Sequence, residues 1–207
     1  MGGGQATAAR SSIARMDSGG RKGDRPATFR DLIALPDSVV GEIIDGELFA
    51  SPRPASPHAQ AASILGTDVI GPFSRKPGDP AGPGGWCILY EPELHWVEDV
   101  LVPDFAGWRR ERMPTIPDVP YFELAPDWVC EILSPATARL DRVKKLALYA
   151  RARVGHAWLV DPLARTLEVL RLEGDRWLLL ASFADDAKVR AEPFEAVELD
   201  LSRWWLE

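Results

Sequence analysis

The sequence predicts an α+β or α/β fold built on a mixed central β-sheet flanked by helices, and three stretches carry that expectation. Residues 127–162 read as a strand, a helix and a second strand, a βαβ unit whose two strands should run parallel. Near the N-terminus, Asp45-Gly46 separates two apolar runs, and near the C-terminus Gly174-Asp175 separates two more. Both patterns specify hairpins, because their turn residues tolerate positive φ.

The first 25 residues hold six Gly and no aromatic side chain, and read as a flexible tail ahead of a single domain over 26–207. Thr28 to Leu35 is a short helix capped by Thr28 and stopped before Pro36. The first hairpin pairs Val39–Ile44 with Glu47–Ala50, and the proline-rich run Ser51 to Pro57 is a rigid connector. A helix follows from His58 to about Ile70, with Ile64, Leu65 and Val69 on one side. Gly71 to Gly85 is rich in Gly and Pro and should be a mobile loop.

Trp86–Tyr90, Glu93–Val97 and Val100–Ala106 are β-like runs. Pro103 cannot donate to a ladder, so it should mark an edge, a bulge or the end of pairing, with Asp104 presented where the strand opens. After a polar excursion from Arg109 to Pro126 comes the buried strand Trp128–Leu133, closed by Ser134-Pro135. Thr137 to Arg153 lacks Gly and Pro, and Leu140, Val143, Ala147 and Ala150 recur as one apolar stripe facing the sheet. Its other faces carry Arg139, Arg142, Lys144, Lys145, Arg151 and Arg153 against the acid Asp141. Gly155 ends the helix, His156–Val160 is the second buried strand, and the final residues from Val197 to Trp205 should pack back onto the sheet.

A content of 46% hydrophobic residues with eight Trp supports a real core and excludes a disordered chain. The net charge is −7; with five basic and two acidic residues in the tail, the rest carries about −10. An acidic body argues against a generic nucleic-acid coat protein. It leaves room for an enzyme that holds metal ions with carboxylates. Cys87 and Cys130 lack metal-ligand spacing and read as reduced buried thiols in a cytoplasmic protein. No stretch resembles a secretion signal or a membrane span.

Glu131 is the first place to look for chemistry, because a carboxylate in an apolar strand is costly unless a cation or hydrogen bonds receive it. Asp104, Glu131 and a nearby lysine suggest a metal-dependent phosphodiesterase. Two carboxylates from neighbouring strand ends suit a hard cation such as Mg²⁺ or Mn²⁺, which keeps waters in its remaining positions.

The runs Val102-Pro103-Asp104, Glu131 to Pro135, Asp141 to Tyr149 and Trp158 to Pro162, with Glu42 to Leu48 and Ser56-Pro57-His58 upstream, resemble the Uma family of restriction-endonuclease-like proteins, in the PD-(D/E)XK nuclease superfamily. The resemblance spans about residues 28–205. It implies a restriction-endonuclease-like core with additional N- and C-terminal hairpins, a DNA substrate and a homodimer. It also implies Asp104 and Glu131 as metal ligands, helped by the backbone carbonyl of Ile132. The sequence departs from the superfamily pattern two residues after Glu131, where Leu133 stands in place of lysine. Lys145 is then the candidate for a migrated lysine, with Lys144 as its substitute.

Taken alone, Asp104 suits a turn aspartate after a proline. Asp141 and Lys145, four residues apart, suit an ordinary surface ion pair. Glu42 could complete the acidic cluster, hold a second metal or make an internal salt bridge, and His58 suits a helix cap. His95 and His156 read as structural. The leading expectation is a Mg²⁺- or Mn²⁺-dependent DNA endonuclease acting through Asp104, Glu131 and Lys145. The alternatives are a catalytically silent scaffold on the same fold and a phosphodiesterase acting on a small nucleotide. No helix-turn-helix or zinc finger supplies sequence recognition.

Overall fold

The computed structural model describes residues 14–15, 25–76 and 78–206. The expected tail therefore falls almost entirely outside the described residues, the exceptions being Arg25 and β1 (Ala14–Arg15). In chain order there follow α1 (Phe29–Ile33), β2 (Val39–Ile44), β3 (Glu47–Pro52), α2 (Ser56–Phe73), β4 (Trp86–Tyr90), β5 (Leu94–Trp96), β6 (Asp99–Leu101), β7 (Phe105–Arg109) and β8 (Trp128–Ile132). One continuous helical stretch comes next: α3 (Ala138–Leu140), a π-helical turn (Asp141–Lys145) and α4 (Leu146–Arg151). The chain ends with β9 (His156–Asp161), β10 (Thr166–Glu173), β11 (Arg176–Ala184), β12 (Lys188–Val189), β13 (Leu199–Asp200) and a 3₁₀ turn at Leu201–Arg203.

Both predicted hairpins form. Asp45 (φ 50°) and Gly46 (φ 73°) take the left-handed conformations that match the twist of β2 and β3. The predicted βαβ unit forms as well, with β8 and β9 parallel and Glu131 beside Leu159. It lies inside a six-stranded mixed sheet of order β11-β10-β9-β8-β7-β4, whose other pairings are antiparallel.

The N-terminal hairpin belongs to a second, antiparallel sheet of order β1-β3-β2-β6-β5. This corrects the single strand expected over Val100–Ala106. The chain leaves the smaller sheet after Leu101 and enters the larger at Phe105, so Val102, Pro103 and Asp104 are the crossing point. The missing N–H of Pro103 suits a position where pairing must stop.

Alternation along β8 sorts its side chains onto two cores. Trp128, Cys130 and Ile132 face α2 and the C-terminal segment, packing with Leu65, Phe73, Phe194 and Trp204. Val129 and Leu133 face the other way, with Leu140, Leu148 and Tyr149 of the helical stretch. Glu131 shares that second face, which directs it at the helix that carries Lys145. Cys87 and Cys130 are buried free thiols, as expected. Among the described residues no helix is long and apolar enough to cross a membrane.

Phe194 seals the first core. Its ring lies 4.7 Å from Phe73, 4.8 Å from Trp128, 5.0 Å from Trp86 and 5.5 Å from Trp158, centroid to centroid. Phe194→Ala is expected to cost about 3–5 kcal/mol of stability in urea unfolding. A loss under about 1 kcal/mol would mean that the C-terminal segment does not close this face.

Candidate active site

The helical stretch does not present the face that hydrophobic spacing predicts. Val143 is 64% exposed and Ala147 is also exposed, whereas Asp141, Lys145, Leu148 and Tyr149 are buried. The face turned to the sheet is therefore partly ionic, and an apolar-periodicity argument assigns it to solvent. The π turn contributes: the Leu146 N–H donates to the Asp141 carbonyl, five residues back, which widens the helix where Asp141 and Lys145 project inward.

Lys145 is 3% exposed and its ammonium collects three carboxylates. It lies 2.8 Å from Glu131 Oε1, 2.9 Å from Glu42 Oε1 and 3.7 Å from Asp141 Oδ1. Glu131, Glu42 and Asp141 are themselves only 3%, 5% and 3% exposed. The surface ion pair expected of Asp141 and Lys145 is thus a buried one within a larger cluster. Glu42 also accepts from the Val102 N–H at 2.9 Å, tying β2 to the crossing point between the sheets. Tyr149 donates its hydroxyl to Glu131 Oε1. Lys144 points elsewhere and pairs with Glu47 at 3.1 Å, so it is not a substitute for Lys145.

Asp104 sits beside this cluster. Its Oδ2 accepts from the Ile132 N–H at 2.7 Å, and its Oδ1 lies 3.0 Å from His58 Nε2. His58 is not the helix cap expected from its position: the N-cap of α2 is Ala55, and the imidazole is buried against Asp104. Glu42, His58, Asp104, Glu131, Asp141 and Lys145 all line one cleft of about 280 Å³, walled further by Pro52, Pro54 and Pro135. Glu91 lines it too, and sequence reasoning passed over it. His95 and His156 lie outside it, bonded to Glu93 and Glu192.

The electrostatics follow from packing several acids around one lysine. Burial, reinforced by the charges of Asp141, Asp104 and Glu42, pushes Glu131 well above the usual carboxylate range despite Lys145. Asp141 is pushed up to about 7, by burial first and then by Glu42 and Asp104, against the pull of Lys145. Burial opposes the Lys145 ammonium, but Glu131 and Glu42 outweigh it and hold its pKa well above the ordinary lysine value. For His58, burial lowers and Asp104 raises; the net direction is upward.

The profile of a family described as "Putative restriction endonuclease", Uma2, matches residues 26–202. The chain belongs to the Uma2 family. It is also similar to a solved structure described as a "putative nuclease belonging to DUF820" from Anabaena variabilis, with 22% identity and a TM-score of 0.63. That alignment covers 86% of this chain and 97% of the other. At this identity the likeness shows the fold, a mixed sheet of restriction-endonuclease-like architecture. No curated protein matches the sequence. Among the described residues, no three Asp, Glu, His or Cys side chains are gathered as a ready-made metal group. In this Uma2 chain the cleft thus brings together Asp104, Glu131, Lys145 and Glu42 and adds His58 and Asp141, with Tyr149 bonded to Glu131.

Lys145→Met would leave three buried carboxylates without their cation, at an expected cost of about 3–5 kcal/mol near pH 8 in urea unfolding. The deficit should shrink as the pH falls towards about 5. Lys145 pulls the pKa values of Glu131 and Asp141 down, so without it these acids bind protons at higher pH than in the wild type, and acid stabilises the variant more than the wild type. A deficit that grows on acidification would contradict this account of the cluster.

Proposed function

We propose that this protein is a nuclease that hydrolyses DNA phosphodiester bonds with Mg²⁺ or Mn²⁺ in the cleft between its two sheets. The carrying observation is the 2.8 Å contact between Lys145 and Glu131. It supplies, from the adjacent helix, the lysine that Leu133 does not provide next to the strand. Family membership supports a nuclease function in general.

The residues fit a hard divalent cation. The donors are oxygens, and the cleft lining holds five carboxylates, from Glu42, Glu91, Asp104, Glu131 and Asp141. The buried cluster holds more acids than Lys145 can neutralise. Glu131 Oε1 is taken by Lys145 and Tyr149. Asp104, Glu131 and the Ile132 carbonyl are the groups that would hold the ion, leaving the rest of its shell to water and substrate.

When bound, such an ion makes its water easier to deprotonate and offsets charge building on the phosphate. Lys145 keeps its proton at neutral pH, since its carboxylate neighbours raise its pKa. It therefore acts as a fixed positive charge and hydrogen-bond donor to the phosphate or the attacking water, and not as a general base. Glu42 and Asp141 hold the ammonium in place. Pro52, Pro54 and Pro135 wall the cleft beside it. A homodimer belongs to the proposal, because cutting both strands of a duplex calls for two such clefts.

Supercoiled plasmid is expected to be nicked by the wild type with Mg²⁺ or Mn²⁺ and left intact with EDTA. Asp104→Asn, Glu131→Gln and Lys145→Met should each slow the reaction about 10²–10³-fold. Wild-type rates in Glu131→Gln would overturn the proposal.

A further inference from the structure

Asp104 is held from three sides. Its backbone carbonyl accepts from the Glu91 N–H at 2.9 Å and its Oδ2 from the Ile132 N–H at 2.7 Å. Those two bonds come from main chain on either side of the strand, and any residue at positions 91 and 132 other than proline could make them. The third is chosen by side chain alone: His58 Nε2 lies 3.0 Å from Oδ1, with both side chains largely shielded from water.

The local sequence dedicates His58 to this contact. Pro57, without an N–H, sits in the first turn of α2, and the first backbone bond of that turn runs from Ala59 N–H to the Ala55 carbonyl. His58 follows at once, on the cleft side, and is 8% exposed. Its other ring nitrogen, Nδ1, is buried and has no hydrogen-bond partner among the described residues. An unpartnered buried polar atom is a cost that an apolar side chain of similar size would avoid. A purely structural role for this imidazole is therefore a poor bargain, and the contact with Asp104 is what it yields.

We propose that His58 is a positioning residue, whose Nε2–H bond fixes the Asp104 carboxylate in the orientation needed to hold the divalent cation. This rests on the proposed nuclease reading and assigns to that site a residue that neither charge nor spacing marks. Carboxylates that bind metals are commonly oriented by such outer partners, and loss of the partner weakens binding without touching the ion. DNA binding by the remaining cleft is left intact, so the effect falls on turnover and metal affinity and not on KM for DNA.

The test is calorimetric titration of the whole protein with Mn²⁺, alongside plasmid nicking kinetics and a melting curve. The variants are His58→Ala and His58→Gln, the latter keeping an N–H donor within reach. His58→Ala is expected to bind Mn²⁺ about 10–100-fold more weakly and to lose kcat in proportion, with KM for DNA unchanged. His58→Gln is expected to recover most of the Mn²⁺ affinity. If His58→Ala does not fold, His58→Gln with an affinity as poor as that of Asp104→Asn overturns the proposal, and near-wild-type affinity supports it. Wild-type Mn²⁺ affinity in a folded His58→Ala overturns this role while leaving the nuclease reading standing. Absence of Mn²⁺ binding by the wild type itself sinks both.

Discussion

One buried ammonium organises this molecule. Removing a lysine and three acids from water is expensive, and only close mutual contact repays it. Lys145 meets that condition by touching Glu131 on β8, Glu42 on β2 and Asp141 one turn back on its own helix. Through it the large sheet, the small sheet and the helical stretch are bound to one point. A buried ion cluster of this kind is weak as a source of stability, since apolar packing of equal volume would serve as well. Its presence is better explained by what its charges do.

The chain path makes the cluster possible. By crossing from one sheet to the other at Val102, Pro103 and Asp104, the backbone opens a gap in the pairing where side chains from both sheets reach a common space. The Val102 amide is bonded by Glu42, and Asp104 turns back to bond Ile132. The π turn supplies the last adjustment, widening the helix where Asp141 and Lys145 face inward. Backbone irregularities at the crossing and in the helix both border the cleft, whereas the hairpins β2–β3 and β10–β11 lie in regular ladders with one bulge at Val169/Leu170.

Much of the fold was legible in the residues. Asp45-Gly46 and Gly174-Asp175 dictate their turns locally, and the apolar runs of β8 and β9 have no other stable home than a sheet centre. What escaped was tertiary. That Val100–Ala106 divides between two sheets depends on partners far away in the chain, which Pro103 hints at but does not name. The buried face of the Lys145 helix was misread because periodicity counts apolar residues, and here the contact face carries an acid and a lysine. Glu131 stood out from the sequence because a carboxylate in an apolar strand needs a reason, and Asp104 stood out only together with Glu131 and the other motifs. His58 and Tyr149 lay within the runs that carry the family resemblance, but their roles were not legible, because these lie in which carboxylate each one touches.

The central claim is that Asp104 and Glu131, beside Lys145, form the holding place for a divalent ion. Crystals soaked in Mn²⁺ and measured at a wavelength where manganese scatters anomalously test it most directly. The account predicts an anomalous peak in the cleft, within about 2.0–2.2 Å of an oxygen from Asp104 and one from Glu131. A peak elsewhere, or none while Lys145 stays locked on Glu131, would contradict it.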